Sequence, residues 1–159
     1  RPRSARTDPP GDPRPIQLAL PATPVEKVEE SVAEKLARYR RVSLARDLHD
    51  LQWYATAGAM DEPLVRRLWV LKVYRDIVFD ERGVKPIDPD DVLAARTAMD
   101  FRPEDIGYLT KPVRIDEWIA TVRSRYGFLA FVDADERRWV DCNERDLHDV
   151  ETALAGFAD

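Results

Sequence analysis

The stretch TPVEKVEESVAEKLARYRRVSLARDLHDL, residues 23–51, decides the reading of this chain as helical. Thr23 suits an N-cap, Pro24 the first helical position, and Glu26 completes a capping box, so the sequence predicts a helix start here. Val25, Val28, Val32, Leu36 and Tyr39 follow at intervals of three or four, which aligns them on one buried helical face. Ser43 is placed to cap a second helix with the apolar stripe Leu44, Leu48, Leu51 and Ala55, and Gly58 stands near its end.

Two features of this stretch carry chemistry. Lys35 lies three residues after Val32 and seven after Val28, so the period puts it on or beside the apolar face. An ammonium is rarely buried without a partner, although a lysine stem can cover apolar surface while its head stays in water. Asp47 and Asp50 stand one turn apart in Ala45-Arg-Asp-Leu-His-Asp-Leu51 and share a flank of the second helix. If the helices form a hairpin, Lys35 and that flank face each other. A lysine supplies a point charge for a phosphate, and a carboxylate can orient it or serve as a base. The same pairing also suits a structural bridge between two helices.

Outward from the hairpin, residues 1–15 hold five prolines and no apolar period, so they read as an extended loop. Ile16–Leu20 reads as a short edge strand. Asp61 and Pro63 open a third helix carrying Leu64, Leu68, Leu71, Ile77 and Val78, ending by Gly83. Asp88 to Asp91 signals another helix start, and Asp116 to Arg125 a further helix. Phe128–Val132 and Arg138–Cys142 are expected to pair as a hairpin around Asp133, Ala134, Asp135 and Glu136. Asn143 is expected to cap a last helix running to Gly156. The fold class is then α+β, mostly helical with few short strands. Its parts are an extended segment and edge strand (1–22), a helix hairpin (23–58) and a helical C-terminal domain (59–159).

Composition narrows the class. With 44% hydrophobic and 35% charged residues, the 159-residue chain has a soluble globular balance. No apolar run reaches membrane-span length and none resembles a signal peptide. The single cysteine, Cys142, can neither close an internal disulfide nor build a zinc site, and a reducing cytoplasm is the default compartment. Residues 1–46 hold ten Lys/Arg against six Asp/Glu, whereas the remainder holds fifteen against twenty-four. A locally basic segment on an acidic protein suits a polyanion, and charge alone leaves a solvated helix surface equally open.

A resemblance sharpens this. Val28-Glu-Glu-Ser-Val-Ala-Glu-Lys-Leu-Ala-Arg-Tyr-Arg-Arg41, followed by Ala45-Arg-Asp-Leu-His-Asp-Leu51, resembles the later motifs of the AbiEii-type nucleotidyltransferase toxins of type IV toxin–antitoxin systems, including the mycobacterial MenT proteins. The match is strongest over residues 25–51, where two motifs occur in order; beyond residue 60 it rests on helical pattern and length. It implies a nucleotidyltransferase-like fold in which Lys35 and Asp50 are catalytic, with Arg46 and Asp47 shaping the site. It further implies transfer of a nucleotide from a nucleoside triphosphate, with magnesium, onto RNA at the tRNA 3′ end. Such transfer would block aminoacylation and growth until an antitoxin intervenes. Arg38, Arg41 and Arg46, with Asp47, are the expected substrate-binding residues, and Arg40 belongs to the same basic cluster.

The family's earlier motifs, a Gly/Ser phosphate-binding turn and an acidic pair for the metal, do not precede Lys35. Since magnesium needs hard oxygen ligands, these 159 residues are not expected to catalyse alone, and the ligands are expected upstream of Arg1, which is not an initiator methionine. Asp133 and Asp135 could replace the pair only in a permuted order, and an ordinary acidic turn explains them better. Arg-Asp-Leu-His-Asp occurs at 46–50 and again at 145–149, but only the first copy has a lysine fifteen residues earlier. His49 and His148 show no metal-ligand spacing. Trp69 and Trp118 are expected in the core, and Trp53, opposite its helix's stripe, at an inter-domain or partner contact. The rival reading is a non-catalytic helical interaction module that kept the hairpin for packing.

Overall fold

A computed structural model describes residues 27–102, 104 and 113–157. Among them are seven α-helices: α1 (Val28–Arg41), α2 (Ala45–Thr56), α3 (Glu62–Val78), α4 (Asp90–Leu93), α5 (Ile115–Arg125), α6 (Ala134–Val140) and α7 (Leu147–Ala155). Short 3₁₀ turns lie at Ala98–Asp100, Gly127–Ala130 and Glu144–Asp146. No helix among the described residues is long and apolar enough to cross a membrane.

The centre of the fold is α3. Asp61 caps it by accepting from the Leu64 amide at 3.1 Å, and Pro63 occupies the first turn, as the sequence predicts. Val65, Trp69, Val70, Leu71, Val73 and Tyr74 are all fully buried and point around the whole helix. A helix apolar on every side must be covered on every side. α1, α6 and α7 provide that cover, and α2 joins α1 on one side and α5 on the other. The α1 face matches the sequence reading at Val32, Leu36 and Tyr39, which are buried with Ala33 and Ala37 between them, but Val28 in the first turn is 48% exposed, and Val25 lies outside the described residues. α3 ends at Val78 rather than near Gly83, and Glu81 (φ 53°) and Gly83 (φ 123°) turn the chain through the left-handed region.

Three expectations change. The expected β-hairpin at 128–142 is helical, and no strand occurs among the described residues, so their architecture is all-helical rather than α+β. The reason is a capping box. Asp133 accepts from the Glu136 amide at 2.8 Å, and Glu136 accepts in return from the Asp133 amide at 2.9 Å. The four acidic-loop residues therefore start α6 instead of closing a hairpin. Ser43 does not cap α2, whose N-cap is Leu44 without a side-chain bond. The Asp88 signal yields a single turn of helix, in which Asp88 accepts from the Asp90 amide at 2.9 Å. The edge strand Ile16–Leu20 and the Thr23–Glu26 capping box lie outside the described residues.

Candidate functional site

The α1–α2 hairpin presents two rungs of charge, one turn apart on each helix. Asp47 and Asp50 share a flank of α2, and Lys35 and Arg38, also three apart, share a flank of α1. Because the helices run antiparallel, Arg38 meets Asp47 and Lys35 meets Asp50. The sequence-level hairpin thus brings the expected lysine and carboxylate together.

The two rungs differ in environment. Asp47 has no solvent exposure, and its carboxylate accepts from Arg38 Nε at 3.1 and 2.9 Å, with a further contact from Arg38 Nη2. The bond to Asp47 raises the Arg38 pKa above its ordinary value. A forked guanidinium on a buried carboxylate is a rigid, charge-assisted pair. In the other rung, Lys35 is 25% exposed and Asp50 39%. Lys35 Nζ donates to Asp50 Oδ2, while His49 Nδ1 stands 3.5 Å from Asp50 Oδ1. The His49 ring in turn lies edge-on to Trp118, with centroids 5.1 Å apart. Asp50 is thus met by Lys35 and His49, and the rung stays open to solvent. One ammonium carries three donors, so Lys35 can hold Asp50 and still meet an anion.

The remaining basic residues separate. Arg40, whose side chain is 4% exposed, approaches Asp91 at 3.6 Å and Asp76 at 3.9 Å and donates to the Arg82 carbonyl at 3.2 Å. Arg41 pairs with Asp76 at 3.3 Å. Burial pushes the Asp76 carboxyl up, against the pull of Arg41 and Arg40. Arg46 is exposed and has no ion pair among the described residues. Of the expected binding residues, Arg38 thus clamps the hairpin, Arg41 is partly engaged, and Arg46 faces solvent. Two contributors escaped sequence reasoning. His49 reads as an isolated histidine until α5 brings Trp118 beside it, and Asp76 lies on α3 with no local signal linking it to α1.

The second Arg-Asp-Leu-His-Asp copy serves the fold. Asp149 accepts from Trp139 Nε1 at 3.1 Å and pairs with Arg138 at 2.8 Å. Asp133 is spent on the α6 cap, and Trp53 is 57% exposed, on the outer side of α2 as its position predicts. Among the described residues, no group of three or more His, Cys, Asp or Glu side chains could hold a metal ion. The two hairpin carboxylates are each engaged by a cation, Asp47 by Arg38 and Asp50 by Lys35.

A family model described as nucleotidyl transferase AbiEii toxin, type IV TA system, matches residues 4–156. Among solved structures, the chain is similar to MenT4, a nucleotidyltransferase toxin from Mycobacterium tuberculosis H37Rv, at 57% sequence identity and a TM-score of 0.78. The match covers 86% of this chain and 46% of that one, so the chain spans about half the length of that relative. No curated protein matches it.

Proposed function

The chain belongs to the AbiEii family of nucleotidyltransferase toxins, and from that premise we propose that the Lys35–Asp50 pair serves nucleotidyl transfer to an RNA acceptor, the 3′ end of tRNA. The observation that carries this is the unequal pair of rungs. Arg38–Asp47 is sealed and suits a structural clamp, whereas Lys35–Asp50 is oriented yet reachable. Lys35 contributes charge to the triphosphate of the incoming nucleotide, and Asp50 fixes the ammonium or takes the proton of the acceptor hydroxyl. In that reaction the hydroxyl oxygen bonds to the α-phosphorus, and the bond from that phosphorus to the bridging oxygen breaks. Pyrophosphate leaves, and the hydroxyl proton passes to a base. Arg46 and Arg41 guide phosphates towards the pair. A tRNA closed in this way no longer accepts an amino acid, which halts growth until a cognate antitoxin intervenes, and the cytoplasm is where these substrates meet.

Magnesium is part of this reading, with its ligands expected from outside the described residues, since both hairpin carboxylates are already engaged by Arg38 and Lys35. One observation favours the non-catalytic alternative: charge pairs that stitch α1 to α2 account for packing without any reaction. A packing role, however, leaves the solvent-facing side of Lys35 unused.

The test is incorporation of labelled nucleotide into tRNA by the full-length protein, offered each triphosphate in turn. Lys35→Ala and Asp50→Ala should each lower transfer by about 10²- to 10⁴-fold, the range for losing a positioned catalytic group. Both variants should also relieve growth arrest. Undiminished transfer and arrest in both would sink the proposal.

A further inference from the structure

Beyond the end of α1 lies an open cleft of about 630 Å³, formed with the start of α2 and the Arg82–Val84 loop. Arg38, Arg40, Arg41 and Arg82 line it against a single carboxylate, Asp91. Between the guanidiniums the wall is apolar, from Val42, Leu44 and Val84. Planar guanidiniums beside aliphatic surface suit a ligand with both phosphate charge and a flat, weakly polar ring.

Two further features indicate an unfilled role. Arg40 is 4% exposed, its charge contacts are no closer than 3.6 Å, and its Nε is buried without a hydrogen-bond partner. Arg40 Nη2 donates to the Arg82 carbonyl at 3.2 Å, so this buried guanidinium holds the loop that brings Arg82 to the cleft. Gly83 also leaves Arg40 its space: a Cβ there would stand 2.7 and 2.9 Å from the two terminal Arg40 nitrogens. Arg82 is exposed and has no ion pair among the described residues.

Position connects the cleft to the proposed site. Arg38 follows Lys35 by one turn, so the cleft begins about 5 Å further along the α1 axis. Resting on the transfer reading above, we propose that this cleft holds one phosphodiester-linked nucleotide of the acceptor strand, next to the end that receives the new nucleotide. Arg41 and Arg82 contact its phosphate, and its base lies against Val42, Leu44 and Val84. A nucleoside triphosphate offers similar chemistry, but Lys35 already provides its phosphate contact one turn away.

Binding separates these possibilities without any turnover. The full-length protein is titrated, at several salt concentrations, into a fluorescent single-stranded eight-nucleotide RNA, and separately into a fluorescent nucleoside triphosphate. Arg82→Glu should weaken RNA binding about tenfold and lower the slope of log affinity against log salt by about one, leaving triphosphate affinity unchanged. Val84→Asp, also at an exposed position, should weaken RNA binding in the same direction, and matching melting curves check that both variants fold. Loss of triphosphate affinity with RNA binding intact would overturn the assignment in favour of the donor nucleotide. Unchanged binding of both probes would also overturn it, leaving the cleft to an acidic protein segment. If Lys35→Ala retained transfer while Arg82→Glu lost RNA, the catalytic reading would fail and the cleft assignment would stand.

Discussion

Arg38 Nε lies 3.1 and 2.9 Å from the two oxygens of Asp47, a carboxylate with no solvent exposure, one turn from a lysine–aspartate pair that solvent reaches. Two carboxylates on the same flank of one helix are thereby given different work. Burial makes Asp47 dependent on its guanidinium, while Asp50 can lose its partner to solvent at little cost.

Stability and activity should accordingly come apart at these two positions. Asp47→Ala removes the buried half of a clamp and is expected to cost about 2–4 kcal/mol, less than a fully buried pair because Arg38 is partly exposed and can rehydrate. Asp50→Ala should stay within about 1 kcal/mol of the parent, as exposed pairs do, yet lower transfer by about 10²- to 10⁴-fold. Urea unfolding of both variants, set beside their transfer rates, reads this out. Equal destabilisation by the two substitutions would show that the rungs are interchangeable struts.

A second buried carboxylate fastens α6 to α3. Glu136 is fully buried, accepts from Arg66 Nε at 2.7 Å and from its own cap amide at 2.9 Å, and leaves Oε1 without a partner. Glu136→Ala strands Arg66, which is 12% exposed, and opens the capping box; Asp133, 3.6 Å from Arg66, offsets part of the loss. The expected cost is about 2–4 kcal/mol. Glu136→Gln keeps an acceptor for the cap and forfeits the charge, so it should lose about half as much. Denaturation midpoints of the two variants check the order, and a Gln variant as unstable as the Ala variant would mean that the charge, and not the cap, holds α6.

The helices of the first half were legible from their apolar period, and the punctuation held at the α3 start although Ser43 does not cap α2. Val32, Leu36 and Tyr39 share a face, and Asp61 with Pro63 marks the α3 start. The Lys35–Asp50 pairing was legible because an antiparallel hairpin of ordinary length forces residues on facing flanks together. The segment 128–142 was misread because its apolar runs suit a strand as well as a buried helix, and the Asp133–Glu136 box, the deciding signal, also looks like an acidic turn. What joins distant parts of the chain left no local trace. Asp76 beneath Arg41, Trp118 beside His49 and Arg82 across the cleft depend on how α3, α5 and the loop after Val78 pack, which no short window of sequence contains.

Alkaline pH should unfold this protein earlier than its charge suggests. Burial is the main cause that pushes the Cys142 thiol up to about 11 and the Tyr74 phenol up to about 12. Burial also raises Tyr126, whose hydroxyl donates to the Leu51 carbonyl at 2.9 Å, and Tyr39, against the pull of Arg96. Each group keeps its proton in the fold beyond the pH at which the unfolded chain releases it. A folded pKa above the unfolded one means that this contribution is complete below the unfolded pKa and is lost as pH rises towards the folded value. For Cys142 that window runs from 9.0 to about 11, and for Tyr74 from 10.0 to about 12. Within its window each group removes up to about 1.4 kcal/mol per pH unit. Urea midpoints should therefore hold steady from pH 7 to 8.5 and fall with increasing slope from pH 9 to 11. Replacing the thiol tests the first part of that slope, because only Cys142 among these groups starts to contribute below pH 10. Cys142→Ala should flatten the profile between pH 9 and 10 and leave the steeper tyrosine-driven fall above it. In the parent protein at pH 8, a thiol reagent should label Cys142 only as fast as the fold opens. Rapid labelling of the native protein, or a midpoint unchanged to pH 11, would mean that these groups are not held neutral by burial.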